Sequence, residues 1–183
     1  RHLVMLRPSH VLVYDELEAA KPIAWTFQLH SLKPAEQLGN SWFATTNHHG
    51  VGSARLFCAS PVKGGVTDAF FGVPVDEENK RGGQNPPNWH MSISTTEKLS
   101  ATRFLTVIEV LPGKGKPVEP VAEGVGRVRM KLGDYTVTAE LDATKPSYLA
   151  AFDKTHSSAL VSGQAAREIS LGDEQRSAKA EGG

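Results

Sequence analysis

Residues 10–31 read HVLVYDELEAAKPIAWTFQLHS, and the fold class turns on how this stretch is folded. An apolar run ends on Asp15-Glu16, a short break carries Lys21-Pro22, and a second apolar run closes on His30. In the first run Val11, Val13, Asp15 and Leu17 fall on one side of a period of two. In the second, Ile23, Trp25, Phe27 and Leu29 oppose Ala24, Thr26, Gln28 and His30. A period of two is the spacing of a half-buried antiparallel strand and not of a helix. The two runs are therefore expected to form a hairpin, with Asp15 and His30 at its opposite ends and His30 turned away from the aromatic face. Asp15 is expected to close its strand by accepting backbone hydrogen bonds in the following turn.

Working outward, the alternation recurs. In HLVMLR (2–7) His2, Val4 and Leu6 share a face, and Pro8-Ser9 folds this strand back so that His2 comes near residues 15–17. Further strands are expected at 41–47, 52–60, 66–73, 89–95 and 102–111. GVGRVRMKL and DYTVTAEL add two more, joined by a tight turn at Gly133-Asp134. Turn-forming residues mark Lys21-Pro22, NHHG (47–50), SPVKGG (60–65), RGGQNPPN (81–88) and PGKGKPVEP (112–120). Many short strands so punctuated predict an all-β protein, an antiparallel β-sandwich with little helix. PSYLAAFDK (146–154) is the best helical candidate. One β-sandwich domain is expected over 1–172, followed by a flexible polar tail at 173–183.

The chain has 183 residues, 39% hydrophobic and 22% charged, with twenty basic residues balancing twenty acidic ones. That balance gives no overall field to draw in nucleic acid, so any charged ligand has to be recognised locally. No window approaches the roughly 18 apolar residues of a membrane helix. A single cysteine, Cys58, excludes an intrachain disulfide and the multi-cysteine zinc motifs. The chain opens at Arg1 inside a strand pattern, without an initiator Met or a signal-peptide pattern, which suggests a piece of a longer protein.

No complete active site is spelled out. GKGKP lacks the helix a phosphate loop needs, and no nucleophile elbow is present. His48 and His49 sit at a Gly-ended turn where they could be displayed to a ligand, but adjacent strand-end histidines are expected to point opposite ways. The loop DEENKRGGQNPPN leads into Trp89-His90. Rings and polar forks at a loop mouth suit sugar recognition, and Arg81, Gln84 and Asn85 are the residues most free to bind. Trp89 alternates with Met91 and Ile93, which favours a core position for it. His48, His49, Arg81, Gln84, Asn85, Trp89 and His90 are thus the candidate substrate-binding residues. No catalytic residue, metal ligand or cofactor is assigned.

The blocks RHLVMLRPSHVLVYDELEA, WTFQLHS, NWHMSIST and RFLTVIEVL, spread over residues 1–111, resemble the β-sheet region of the heparinase II/III-like polysaccharide lyases. The resemblance implies a supersandwich-like sheet region that follows an N-terminal helical toroid in an enzyme cleaving uronate polysaccharides by β-elimination. In that chemistry a base takes the proton alpha to the carboxylate, an amide or cation steadies the enolate, and a Tyr or His protonates the leaving oxygen. The family's His-x-His-x-Asp segments lie upstream of the block that opens this chain, and no such motif occurs here. The resemblance also implies a polysaccharide substrate, the toroid as partner and a periplasmic or secreted setting. Beyond residue 111 no block matches.

Two other readings stay open. An independent carbohydrate-binding module would show an exposed planar row among Trp42, Trp89 and Tyr148. A small metal-dependent β-barrel enzyme would bring His2, His30, His48 and His90 together.

Overall fold

The computed structural model describes residues 1–69, 88–113 and 115–154, and the backbone of 157–162. Among these residues the chain is all β, with fourteen strands and no helix. The strands are β1 (His2–Leu6), β2 (His10–Ile23), β3 (Thr26–Ser31), β4 (Ala35–Gly39), β5 (Trp42–Thr46), β6 (Gly50–Phe57) and β7 (Val62–Thr67). They continue with β8 (Trp89–Thr95), β9 (Leu99–Pro112), β10 (Ala122–Glu123), β11 (Arg127–Leu132), β12 (Tyr135–Glu140), β13 (Ser147–Phe152) and β14 (Ser157–Ser162). Three antiparallel sheets result, in the orders β1-β2-β9-β6-β5-β4, β10-β11-β12-β13-β14 and β3-β8-β7.

The six-stranded sheet is the middle layer, and alternation along its strands shows why. Leu12 and Tyr14 of β2 and Leu105 and Val107 of β9 pack with Val128, Met130, Val137 and Leu149 of the five-stranded sheet. Their neighbours Val13 and Phe104 turn the other way and pack with Phe27, Met91 and Ile93 of the three-stranded sheet. Both faces of β2 and β9 are covered, so 12–15 and 102–107 are buried without a break. Uninterrupted burial of this kind belongs to a central strand. Each large side chain taken out of water here contributes roughly 1.5–3 kcal/mol. The three-stranded sheet approaches so closely that a Cβ on Gly64 would lie 2.5 Å from Phe43 Cζ.

Several sequence expectations are corrected. β2 and β3 do not pair: β2 lies between β1 and β9, whereas β3 crosses to another layer and pairs with β8, Thr26 facing Ser94 and Ser31 facing Trp89. Lys21-Pro22 is no hairpin turn but part of an irregular stretch of β2 between Glu18 and Ile23. Asp15 lies within β2, opposite Phe104, and does not close a strand. Residues 146–154 hold β13 and no helix. Leu149 and the alanines there are good helix formers, but hydrogen bonds to β12 on one side and β14 on the other outweigh local propensity. Residues 62–65, read as turn, belong to β7.

Other expectations hold. β8 covers 89–95, β1 and β2 turn at Pro8-Ser9, and β11 and β12 form the hairpin at Gly133-Asp134. Gly133 alone of that turn has a positive φ, +58°, as a type II′ turn requires of its first central residue. Residues 70–73 of the expected strand 66–73, the segment 81–88 up to residue 87, and the tail 173–183 lie outside the described residues.

Candidate functional site

Four places bring chemically capable side chains together. The first is the seam between the middle and five-stranded sheets. Tyr14 is fully buried, and its hydroxyl donates to the Glu140 carbonyl at 2.6 Å. Burial, the largest influence, pushes its pKa up to about 12, with Arg103 pulling the other way. Arg103, also buried, donates to the carbonyls of Asp142 at 2.8 Å and Lys145 at 2.6 Å, and its Nε lies 3.9 Å from Glu16. His2 Nε2 lies 3.3 Å from the Glu16 carboxylate, whereas on the opposite face of β2, toward Phe27 of the three-stranded sheet, Arg1 makes a two-pronged contact with Asp15 at 2.7 and 3.0 Å. The loop that Arg103 grips is tied locally. Asp142 accepts from the hydroxyl and amide of Thr144, which hold its carboxyl below the usual range.

Tyr, Arg, His and Glu are the residue types that β-elimination uses, yet their chemistry here is spent. The phenol has no solvent access and keeps its proton, and the buried guanidinium donates to two carbonyls. This is a clamp between layers.

The second place is at the far end of β2, where His10 Nε2 lies 3.4 Å from Glu109 and Ser9 Oγ 3.1 Å from His10 Nδ1. The third is the pair His30 and His90, cross-strand neighbours on β3 and β8 with ring centroids 4.6 Å apart, edge to face. His30 is exposed, as its place in the alternation implies, and Trp89 beside them is half-buried at the strand end. His48 and His49 stand in the exposed turn between β5 and β6, where Asn47 Oδ1 accepts from the amides of His49 and Gly50. Their rings meet at 3.8 Å instead of pointing apart, because a turn does not alternate as a strand does. Arg81, Gln84 and Asn85 lie outside the described residues.

The candidates are therefore dispersed. Of His2, His30, His48 and His90, only His30 and His90 meet in a ring contact, and among the described residues no three His, Cys, Asp or Glu side chains group as metal ligands do. Trp42, Trp89 and Tyr148 are each half-buried and belong to three different sheets. They form no planar row.

The fourth place was not legible as a site in the sequence. On the outer face of the five-stranded sheet, a groove of about 660 Å³ is lined by Arg127, Arg129 and Lys131 of β11, Thr136 and Thr138 of β12, Tyr148 and Phe152 of β13, and Glu123. The Arg127 guanidinium lies over the Tyr148 ring, 4.8 Å from its centroid. Lys131 donates to the Thr136 hydroxyl at 2.6 Å. Gly124 shapes one rim: its φ is +84°, and a Cβ there would collide with the Arg127 carbonyl. The alternation of cations with Val128, Met130 and Leu132 was the available signal, since it places all three charges on one face of one strand.

Compared with known proteins, the chain matches no family model and no curated protein.

Proposed function

We propose that the chain is the C-terminal β-sandwich region of a heparinase II/III-like polysaccharide lyase, supporting a helical toroid and lining one wall of the cleft without a complete active site of its own. The observation that carries this reading is the pairing of the four blocks of resemblance. The first and last, some ninety residues apart, are the neighbouring central strands β2 and β9, in register from His10–Glu109 to Glu18–Ala101. The second and third are β3 and β8, paired along their whole length. Stretches that resemble one family and also pair with one another form a coherent half of a fold, which scattered chance matches would not do.

The state of the polar groups agrees with a supporting role. Of the Tyr, Arg, His and Glu side chains of types an elimination uses, Tyr14 and Arg103 are engaged in tying the layers together, and His2 and Glu16 meet within the middle sheet. Under this reading the catalytic groups come from the toroid, the substrate is a uronate-containing polysaccharide, and the setting is periplasmic or secreted. A free-standing binding module built on stacked aromatics is less favoured, because Trp42, Trp89 and Tyr148 lie on separate sheets.

The test is to incubate the chain with uronate polysaccharides and follow the ultraviolet absorbance of unsaturated product. The expected result is no product from the chain alone, and product when it is combined with a helical toroid of the family. Sustained turnover by the chain alone overturns the proposal, and so does a failure to associate with the toroid.

A further inference from the structure

We propose that the outer face of the five-stranded sheet binds an anionic polysaccharide, its acidic groups taken by Arg127, Arg129 and Lys131 and its hydroxyls by Thr138. The ligand class deepens the lyase reading, but the binding face itself follows from charge and geometry alone.

Arg127, Arg129 and Lys131 occupy alternate positions of one strand and are all exposed. Alternate residues of a strand stand roughly 6.8 Å apart, so the three charges form a straight row of about 14 Å. None of the three is within ion-pair distance of a carboxylate among the described residues, although six ion pairs form elsewhere in the fold. Three unneutralised like charges in a row repel one another, and an anion seated over them relieves that repulsion. Of the acidic side chains on this face, Glu123 lies on the rim opposite Arg129, and Glu140 is buried, its carboxylate accepting from the Asp142 amide. The charge of the groove is therefore positive even though the whole chain is neutral.

The geometry favours a sugar polymer over a nucleic acid. Carboxylates and sulfate esters suit the planar fork of arginine, and hydroxyls suit the half-buried Thr138, which faces Arg129 across the strand pair, while the buried Thr136 positions Lys131. Single-stranded nucleic acid binds through bases stacked on free aromatic faces. Here two aromatic rings line the groove, and that of Tyr148 already carries the Arg127 guanidinium, which leaves Phe152 alone. That contact holds Arg127 across the groove while its N–H groups remain able to donate.

The experiment measures binding of the 183-residue chain to immobilised polygalacturonate, which carries carboxylates only, and to dextran sulfate, which carries sulfates only. Neutral dextran and single-stranded poly-dT serve as comparisons. The triple variant Arg127→Gln, Arg129→Gln, Lys131→Gln is measured alongside, with circular dichroism to verify its fold. Lys63→Gln, exposed on β7 of the three-stranded sheet, is a charge control away from the groove. We expect polygalacturonate to bind in low salt, and the triple variant to weaken it about tenfold or more while the control does not. Binding confined to dextran sulfate would support the same face with sulfate as its anion. Equal binding of neutral dextran or poly-dT, no binding of either acidic glycan, or undiminished binding by the triple variant overturns the proposal. A failure here leaves the supporting-domain reading standing, whereas turnover by the chain would sink that reading and leave the binding face untouched.

Discussion

The inner seam and the outer face of the five-stranded sheet use the same residue types to opposite ends. On the inside, Tyr14 and Arg103 of the middle sheet are buried and donate to carbonyls of the 140–145 segment, with Glu16 beside the guanidinium. On the outside, Tyr148 and Arg127 are stacked at the rim of a groove, and the cations beside them have no carboxylate partner among the described residues. The difference lies in solvent. A guanidinium out of water has to be saturated by the protein, so it becomes a structural clamp; one left in water keeps its hydrogen-bonding capacity for a ligand. An arginine or tyrosine in this fold is therefore read for function by what remains unspent on it.

The largest effect that could break this comparison is expected at Arg103. Replacing it with Met keeps much of the volume but takes the guanidinium donor from the Lys145 carbonyl and leaves the Asp142 carbonyl only the Lys145 amide, and should cost about 3 kcal/mol in a urea unfolding curve. A loss under about 1 kcal/mol would mean that the clamp is not what joins the layers.

Tyr14 offers a smaller effect with a pH signature. Its phenol ionises near 10 in the unfolded chain and only near about 12 in the folded one. Between those values the unfolded state has released the proton and the folded state has not, so stability falls as pH rises. The contribution is fully present below pH 10 and is lost by about pH 12, on the order of 1–2 kcal/mol. Tyr14→Phe should cost about 1 kcal/mol at neutral pH through the lost bond to Glu140 and should flatten that alkaline decline. Parallel unfolding curves for both proteins between pH 8 and 11 check it, and identical alkaline slopes would count against the assignment.

The smallest effect sharpens the comparison from the other side. The triple glutamine variant of Arg127, Arg129 and Lys131 should change stability by no more than about 0.5 kcal/mol, since these side chains are exposed and brace no other layer. A thermal melt shows this directly. A large destabilisation would make the outer row structural, like the inner clamp.

Much of the strand content was legible. The run WHMSIST is β8 as read, and the GVGRVRMKL and DYTVTAEL runs are the hairpin of β11 and β12. The polar edge of His30 followed correctly from its parity along the strand. What failed was the reading of connections. Proximity in sequence made β2 and β3 look like a hairpin, but a bulged, proline-containing stretch carries the chain out of one sheet and into another. Trp42 and Tyr148 likewise gave no sign, as letters, that they belong to different layers. The cationic row was visible as alternation in RVRMKL, but unneutralised charge is a property of the surroundings, and those come from β10, β12 and β13.

The sequence by itself determined that the protein is built of antiparallel strands and which residues of each strand share a face. A period of two is local, set by the pleat of the backbone and by water's rejection of apolar side chains. The tertiary structure alone decided which strands pair, that three layers stack, and which faces are sealed or open. Those outcomes rest on contacts between residues as distant as His10 and Glu109. They settle whether an arginine is spent, as Arg103 is, or left in water, as Arg129 is, because desolvation depends on what packs above a side chain and not on its neighbours in the chain.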